Sequence, residues 1–186
     1  MAVERKSFVV RGRLSFPALF EPRINTNEKG DVTKMYEAQL IIRKDEPSLV
    51  ALQAQCDALL KDKHGAKVPP NVKRGLRDGS EKPNIAGMSD DVVFCTAKTK
   101  HKPPVVNRLK VGITDPEEVY GGAWIKMSVT PYYFDAEMNK GVSFALDAIQ
   151  KIGDDEHFGN VADPDQLFEE EEEFVPGPTA GASSGW

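Results

Sequence analysis

The segment from Ala123 to Phe134 constrains the fold most, because apolar and polar side chains alternate along it. Its inward face would carry Ala123, Ile125, Met127, Val129 and Tyr133, and its outward face Trp124, Lys126, Ser128, Thr130 and Tyr132. Val, Ile, Thr and aromatic residues are also the types that strands favour. We therefore predict a strand with one face against a core and a polar, partly aromatic outer face.

Four further segments have strand character: residues 7–16, 34–43, 92–100 and 142–152. In the first we expect Phe8, Val10, Leu14 and Phe16 to face the core, and Pro17 and Pro22 to end the strand. One helix is predicted between the second and third segments, with Asp45 as N-cap and Gly65 as terminator. Residues 64–89 are predicted to form a long loop. The class is all-β with one helix, and the strand count alone leaves a barrel and a sandwich open.

Charge divides the chain into two parts. Residues 1–153 carry all 24 Lys and Arg residues against 19 acidic ones, whereas residues 154–186 carry ten acidic residues and no basic one. We predict a folded, mildly basic domain over 1–153 and an acidic tail over 154–186 that is too polar to fold by itself. No apolar stretch is long enough to span a membrane, and we expect no secretion signal. Two distant cysteines, Cys56 and Cys95, suit a reducing cytoplasm and are expected to be core thiols.

Enzymatic chemistry has weak support in the sequence. The three histidines are not spaced with Cys or carboxylate partners as metal ligands would be, and no nucleophile elbow or phosphate-binding loop occurs. The acidic pairs Asp90-Asp91 and Glu117-Glu118 leave a metal-dependent nuclease as an alternative. Such pairs more often border strands, so we predict no catalytic residue, no metal and no cofactor.

Binding of single-stranded nucleic acid has more support, because several cationic runs accompany exposed rings. Lys and Arg neutralise phosphates, and rings stack on unpaired bases. The candidate DNA-binding residues are Arg11, Arg13, Lys34, Lys73, Arg74, Arg77, Lys98, Lys100, Lys102, Arg108, Lys110, Trp124, Lys126 and Tyr132. The alternative for the two rings is that they pack under a loop or the helix. The alternative for each cationic run is a solvated surface.

The acidic tail combines charge with apolar side chains. The candidate partner-binding residues are Phe168, Glu169, Glu170, Glu171, Glu172, Glu173, Phe174 and Trp186. Such a segment could compete with a polyanion for the basic domain or recruit another protein. Phe174 competes with Trp186 as the anchor, since residues 176–185 separate the glutamates from Trp186.

Four runs together resemble a family of bacteriophage single-stranded DNA-binding proteins with an OB fold: Tyr36–Asp45, Leu76–Gly79, Glu118–Gly122 and Lys140–Lys151. The resemblance covers roughly residues 5–160. It implies a five-stranded Greek-key barrel that binds single-stranded DNA of any sequence during phage replication, recombination or repair, in the cytoplasm of the infected bacterium. It also implies that the tail contacts replication proteins. An alternative is a protein-interaction or virion component that binds no DNA, and RNA remains a second possible ligand.

Overall fold

The structure, a computed structural model, describes residues 3–136, 138–159 and 169–177. Within these residues, seven strands and one α-helix follow one another. They are β1 (Phe8–Thr26), β2 (Val32–Arg43), α1 (Pro47–His64), β3 (Arg77–Asp78), β4 (Val92–Thr99), β5 (Val105–Val106), β6 (Trp124–Ala136) and β7 (Asn139–Gly153). Two short 3₁₀ turns occupy Gly79–Glu81 and Pro116–Glu118. The segment predicted as one long loop therefore contains β3 and a 3₁₀ turn.

Five of the strands close into a barrel in the order β1-β2-β4-β7-β6, with β6 pairing back onto β1. All of these pairs are antiparallel except β4 with β7, which are joined by the parallel pairs Ala97↔Phe144 and Lys98↔Ala145. This closure confirms the predicted five-stranded OB barrel with one helix. The short parallel pair makes β4–β7 the least extensive join in the barrel.

The core fills the barrel and extends under the helix. Ile125, Met127 and Val129 are fully buried, as the alternation in β6 predicted. Leu52, Cys56 and Leu60 of α1 join the same cluster, and burial raises the pKa of the Cys56 thiol to about 12. Cys95 is buried as well, so both thiols lie in the core, as expected.

The helix begins one residue later than predicted. Glu46, not Asp45, is the N-cap, and its carboxylate accepts from the backbone N–H of Ser48. Asp45 instead binds the guanidinium of Arg43, at 2.9 Å. Pro47 occupies the first turn, where a missing N–H costs nothing, and Gly65 ends the helix at φ 69°.

Strand β1 does not end at its prolines, contrary to the prediction. Irregularities in the register between Ser15 and Ala18, and between Ala18 and Arg23, place Pro17 and Pro22 where the ladder to β2 is interrupted. Proline is tolerated there because no ladder hydrogen bond requires its N–H. The same irregularity removes Phe16 from the core face on which we expected it, and its side chain is exposed.

The residues that directly follow β7 contact the barrel. Phe158 packs on a second apolar cluster formed by Ile41, Met88, Val92 and Phe94, on the outside of the barrel. Its backbone N–H donates to the carbonyl of Gly121, at 2.8 Å. Residues 169–177 are exposed and have no regular secondary structure. Within the described residues, no helix has both the length and the apolar character needed to cross a membrane.

Candidate nucleic-acid interface

A cleft of about 600 Å³ opens where β4 and β7 diverge, next to their short parallel pair. We call it the basic cleft. Its walls include segment 70–77, residues 94–96 of β4 and residues 142–144 of β7, and its cations are Lys73, Arg74, Arg77 and Lys82. Three of these four, Lys73, Arg74 and Arg77, were candidates from the sequence. The barrel closure therefore brings one predicted cationic run to the mouth of a cavity.

Backbone pairing fixes the position of Lys73 in this wall. Its N–H donates to the carbonyl of Lys140 at 3.0 Å, and its carbonyl accepts from the N–H of Val142 at 2.9 Å. Gly141 lies between these partners at φ 146°, and a Cβ there would be 2.1 Å from the carbonyl oxygen of Lys73. Only glycine allows so close an approach. The loop is therefore attached to β7 at this point.

The charge of the basic cleft is mostly uncompensated. Arg77 forms an ion pair with Glu81 at 2.7 Å. Within the described parts of the chain, Lys73, Arg74 and Lys82 make no ion pair with a carboxylate. Arg77 and Lys82 lie over the ring of Phe94, 5.1 and 5.0 Å from its centroid. The ring itself is 2% exposed, so Phe94 supports the two cations and is not available for stacking.

Asp78, the residue after Arg77, is bound by Lys44, a cation that does not line the basic cleft. Asp78 accepts from the ammonium of Lys44 at 2.7 Å and from the backbone N–H of Ser80. These bonds lower the pKa of Asp78 to about 2, and the bond from Lys44 has the largest effect. Asp78 therefore caps the 3₁₀ turn that carries Glu81 towards the cleft.

Arg11 and Trp124 line a different cavity, which we call the tryptophan pocket, together with Arg43 and residues 152–153. Its cations are neutralised, because Arg11 binds Glu46 at 2.9 Å and Arg43 binds Asp45. The pocket therefore adds little positive charge for a polyanion, although the indole ring is only half-buried.

Arg13 holds the chain that follows β7. Its Nη2 donates to the carbonyl of Glu156 at 2.7 Å, its Nε donates to the carbonyl of Gly122 at 3.0 Å, and the guanidinium lies 4.2 Å from the ring centroid of Phe158. Gly122 has φ 110°, and a Cβ there would collide with the carbonyl of Glu156. Arg13 is thus engaged in intramolecular contacts.

The remaining candidates are spread over other surfaces. Lys98 binds Glu37 at 3.4 Å, Lys102 lies 5.7 Å from the ring centroid of Phe20, and Tyr132 lies under Arg5. Arg108 and Lys151 line a further, smaller cavity. Exposed positions at various points of the surface are occupied by Lys34, Lys100, Lys110 and Lys126. The structure therefore distributes the fourteen candidates over several sites, and three of them, Lys73, Arg74 and Arg77, line the basic cleft.

Two tail candidates, Phe168 and Trp186, lie outside the described residues. The run Glu169–Glu173 and Phe174 are exposed. The acidic pairs considered for a nuclease lie in separate segments, Asp90-Asp91 in the loop before β4 and Glu117-Glu118 in the second 3₁₀ turn. In the ranges that the structure describes, no three His, Cys, Asp or Glu side chains are grouped so as to hold a metal ion.

Sequence reasoning missed Lys82 and Phe94. Lys82 belongs to the segment 64–89 that was predicted as a long loop and that also holds Lys73, Arg74 and Arg77, so the shared segment is the signal that could have identified it. Nothing in the sequence indicated that Phe94 would lie under two cations. Arg77 and Lys82 reach its ring only because β3 pairs with β4 at Arg77↔Phe94.

An OB barrel with an open cationic cleft is typical of proteins that bind single-stranded nucleic acid. The chain belongs to the family described as "Enterobacter phage Enc34, ssDNA-binding protein", whose profile matches residues 6–175. The resemblance seen in the sequence is thereby confirmed. No protein with a curated description matches the chain.

Solved structures share the fold. The single-stranded DNA-binding protein of bacteriophage Enc34 in complex with ssDNA has 24% identity and a TM-score of 0.64, over 81% of this chain and 87% of that one. Another structure of the single-stranded DNA-binding protein from bacteriophage Enc34 has 22% identity and a TM-score of 0.62, over 86% of this chain and 88% of that one. Gp2.5, a single-stranded DNA-binding protein encoded by bacteriophage T7, has 16% identity and a TM-score of 0.59 over 93% and 100%.

Proposed function

We propose that the chain is a phage protein that holds single-stranded DNA of any sequence in the basic cleft. The observation that carries this proposal is the group of cations without carboxylate partners, Lys73, Arg74 and Lys82, at the mouth of a cleft in an OB barrel. Membership of a phage single-stranded DNA-binding family supports the ligand. A single strand is flexible enough to bend into such a cleft, whereas duplex DNA is stiff over the length of a binding site.

The cleft acts on the backbone of the strand. Each cation that neutralises a phosphate releases a counterion, so affinity falls as salt rises. Thr96 and Ser143, which also line the cleft, add hydroxyl groups that can bond to phosphate or base. None of these groups selects one base, which agrees with binding that is independent of sequence.

In this proposal the chain coats DNA during phage replication, recombination and repair in the cytoplasm of the infected bacterium. The tail, with Glu169–Glu173 and Phe174, recruits replication or recombination proteins and competes weakly for the basic domain. Its exposed, acidic character supports both roles. The ligand is a polyanion, and no step in this function requires a metal or cofactor.

Fluorescence anisotropy of a labelled oligo-dT, titrated with the full chain over a salt series, tests the proposal. We expect tight binding at low salt that weakens steeply as salt rises and resists competition by duplex of equal length. An oligo-U of the same length distinguishes DNA from RNA as ligand. Absence of oligo-dT binding at low salt would contradict the proposal and favour a protein-interaction role.

A further inference from the structure

Phe16 has an unusual backbone and an unusual exposure. Its φ is 45°, in the left-handed region, and among the described residues only one other non-glycine residue, Lys110, has a positive φ. Its side chain is 53% exposed. A bulky residue in this region is strained, and its ring gains little from burial here. Neither the core nor a turn that requires this residue type accounts for a phenylalanine at the position.

A β-bulge aims the ring outward. Between the pairs Ser15↔Gln39 and Ala18↔Glu37, β1 has two residues, Phe16 and Pro17, where β2 has one. A bulge of this kind turns a side chain away from its regular face, and bulges are frequent beside binding sites. The ring of Phe16 is therefore exposed at the bulge, on a strand that pairs with β2.

Two cations near the backbone of Phe16 are held by one buried carboxylate, that of Glu37. Glu37, 8% exposed, binds Arg23 at 2.7 Å and Lys98 at 3.4 Å. Arg23 also donates from Nη2 to the carbonyl oxygen of Phe16, at 3.2 Å. Both cationic side chains remain about half exposed, at 48% and 50%. The group has a net charge of +1 and an orientation set before any ligand arrives.

The group is continuous with the basic cleft. Alternate residues of a strand share a face, so Lys98 lies on the same face of β4 as Thr96, which lines the cleft. The pairs Gln39↔Thr96 and Glu37↔Lys98 of β2 and β4 are two residues apart, so the cleft wall and the Glu37 group are neighbours in the sheet. A strand leaving the cleft along β4 would reach Lys98, Arg23 and Phe16 next.

We propose that Phe16 is a base-stacking residue, and that Arg23 and Lys98 hold the phosphate of the nucleotide whose base it contacts. The inference rests on the proposed function and extends the DNA path beyond the basic cleft. It supplies the exposed aromatic side chain that the cleft lacks, since Phe94 is covered by Arg77 and Lys82.

Phe16→Gly is the sharpest test, because glycine adopts a positive φ freely and removes only an exposed ring. Thermal unfolding of the variant should show a Tm equal to or above that of the unaltered chain. Binding is measured by anisotropy with oligo-dT and with an abasic oligonucleotide of equal length, which has the phosphates but no bases. Phe16→Tyr keeps a ring, and Ile24→Ala removes an exposed apolar side chain, 63% exposed, elsewhere on β1.

We expect Phe16→Gly to weaken oligo-dT binding by roughly 5- to 150-fold, the range for loss of one stacked base, without changing affinity for the abasic strand. Phe16→Tyr and Ile24→Ala should bind as the unaltered chain does. Lys98→Gln should weaken binding to both oligonucleotides and reduce the salt dependence, because it removes a phosphate contact.

Two results would overturn the stacking role: unaltered oligo-dT affinity in Phe16→Gly, or an equal loss on the abasic strand. The proposed function fails separately. If the unaltered chain binds no oligo-dT, both ideas fall. If it binds and loses affinity on Arg74→Ala but not on Phe16→Gly, the basic cleft stands and this inference alone is wrong.

Discussion

The indole Nε1 of Trp124 donates a hydrogen bond to Oδ2 of Asp155, at 2.7 Å. Asp155 belongs to the part of the sequence predicted as tail, and Trp124 begins β6 of the barrel. The next residues continue this contact, up to the packing of Phe158 on the outer apolar cluster. The first acidic residues of the tail are thus components of the folded surface, whereas Glu169–Glu173 are exposed.

Phe158→Ala should destabilise the protein. The ring is half-buried between the guanidinium of Arg13 and the backbone at Gly87, so its loss should cost about 1–3 kcal/mol, less than for a fully buried phenylalanine. Urea denaturation followed by tryptophan fluorescence measures this. Phe174→Ala, at an 85% exposed position, is the matched control and should leave stability unchanged. Equal stability of the two variants would show that residues 154–158 do not contribute to the fold.

Truncation after Gly159 should tighten single-stranded DNA binding at low salt. It removes seven acidic residues, including Glu169–Glu173, and keeps the segment that packs on Arg13 and Trp124. The competition is electrostatic, so the gain should disappear as salt rises. Anisotropy with oligo-dT at low and high salt measures it. Truncation after Gly153 serves as the comparison, since it should also lower the Tm. If the chain ending at Gly159 gains no affinity at low salt, self-competition by the tail is wrong.

Gly141→Ala should impair both stability and DNA binding. The added Cβ would press on the carbonyl of Lys73 and separate the loop from β7, and the φ of 146° is strained for alanine, at a cost of about 1–3 kcal/mol or more. Gly30→Ala, at φ 84° with open space around it, shares the backbone cost but not the collision. Denaturation and oligo-dT binding should therefore show a larger loss for Gly141→Ala. If the two variants lost equal stability and Gly141→Ala bound oligo-dT as the unaltered chain does, the close approach of Gly141 to Lys73 would have no role in forming the basic cleft.

Stability should depend on Asp78 in acid. Its pKa is lowered from 3.8 to about 2 by the bonds from Lys44 and Ser80. A lowered folded-state pKa adds stability that is fully present above the unfolded value and is lost as pH falls towards 2. Asp78→Asn should therefore have a lower Tm than the unaltered chain at pH 6, with a difference that shrinks between about pH 4 and pH 2. A difference in Tm that is constant over this range would contradict the assignment.

The alternation in β6 and the segregation of acidic residues after Lys151 could be predicted from the sequence, because both are local patterns. The orientation of Phe16 could not. Its face is set by a bulge against Glu37 and Gln39 of β2, and the same alternation that succeeds in β6 places Phe16 in the core. A period-two pattern carries no mark of an extra residue.

The candidate site was predicted only in part for a related reason. Cationic residues are visible in a sequence, but their compensation is not. Arg11 binds Glu46, 35 residues away, and Arg13 binds the backbone of Glu156, 143 residues away. Lys73 and Arg74 have no such partner among the described residues. The difference between a paired and an available cation appears only when the barrel brings distant elements together.

The salt dependence of oligo-dT binding in two double variants tests the central claim most directly. Arg74→Ala with Lys82→Ala removes two cations from the basic cleft, and Arg11→Ala with Arg43→Ala removes two from the tryptophan pocket. Each phosphate contact on a single strand contributes about 0.7 to the slope of log K against log salt, so the cleft variant should bind more weakly with a slope smaller by about 1.4. The pocket variant should keep the slope of the unaltered chain. A reduced slope in the pocket variant, with no change in the cleft variant, would contradict the assignment of the DNA path to the basic cleft.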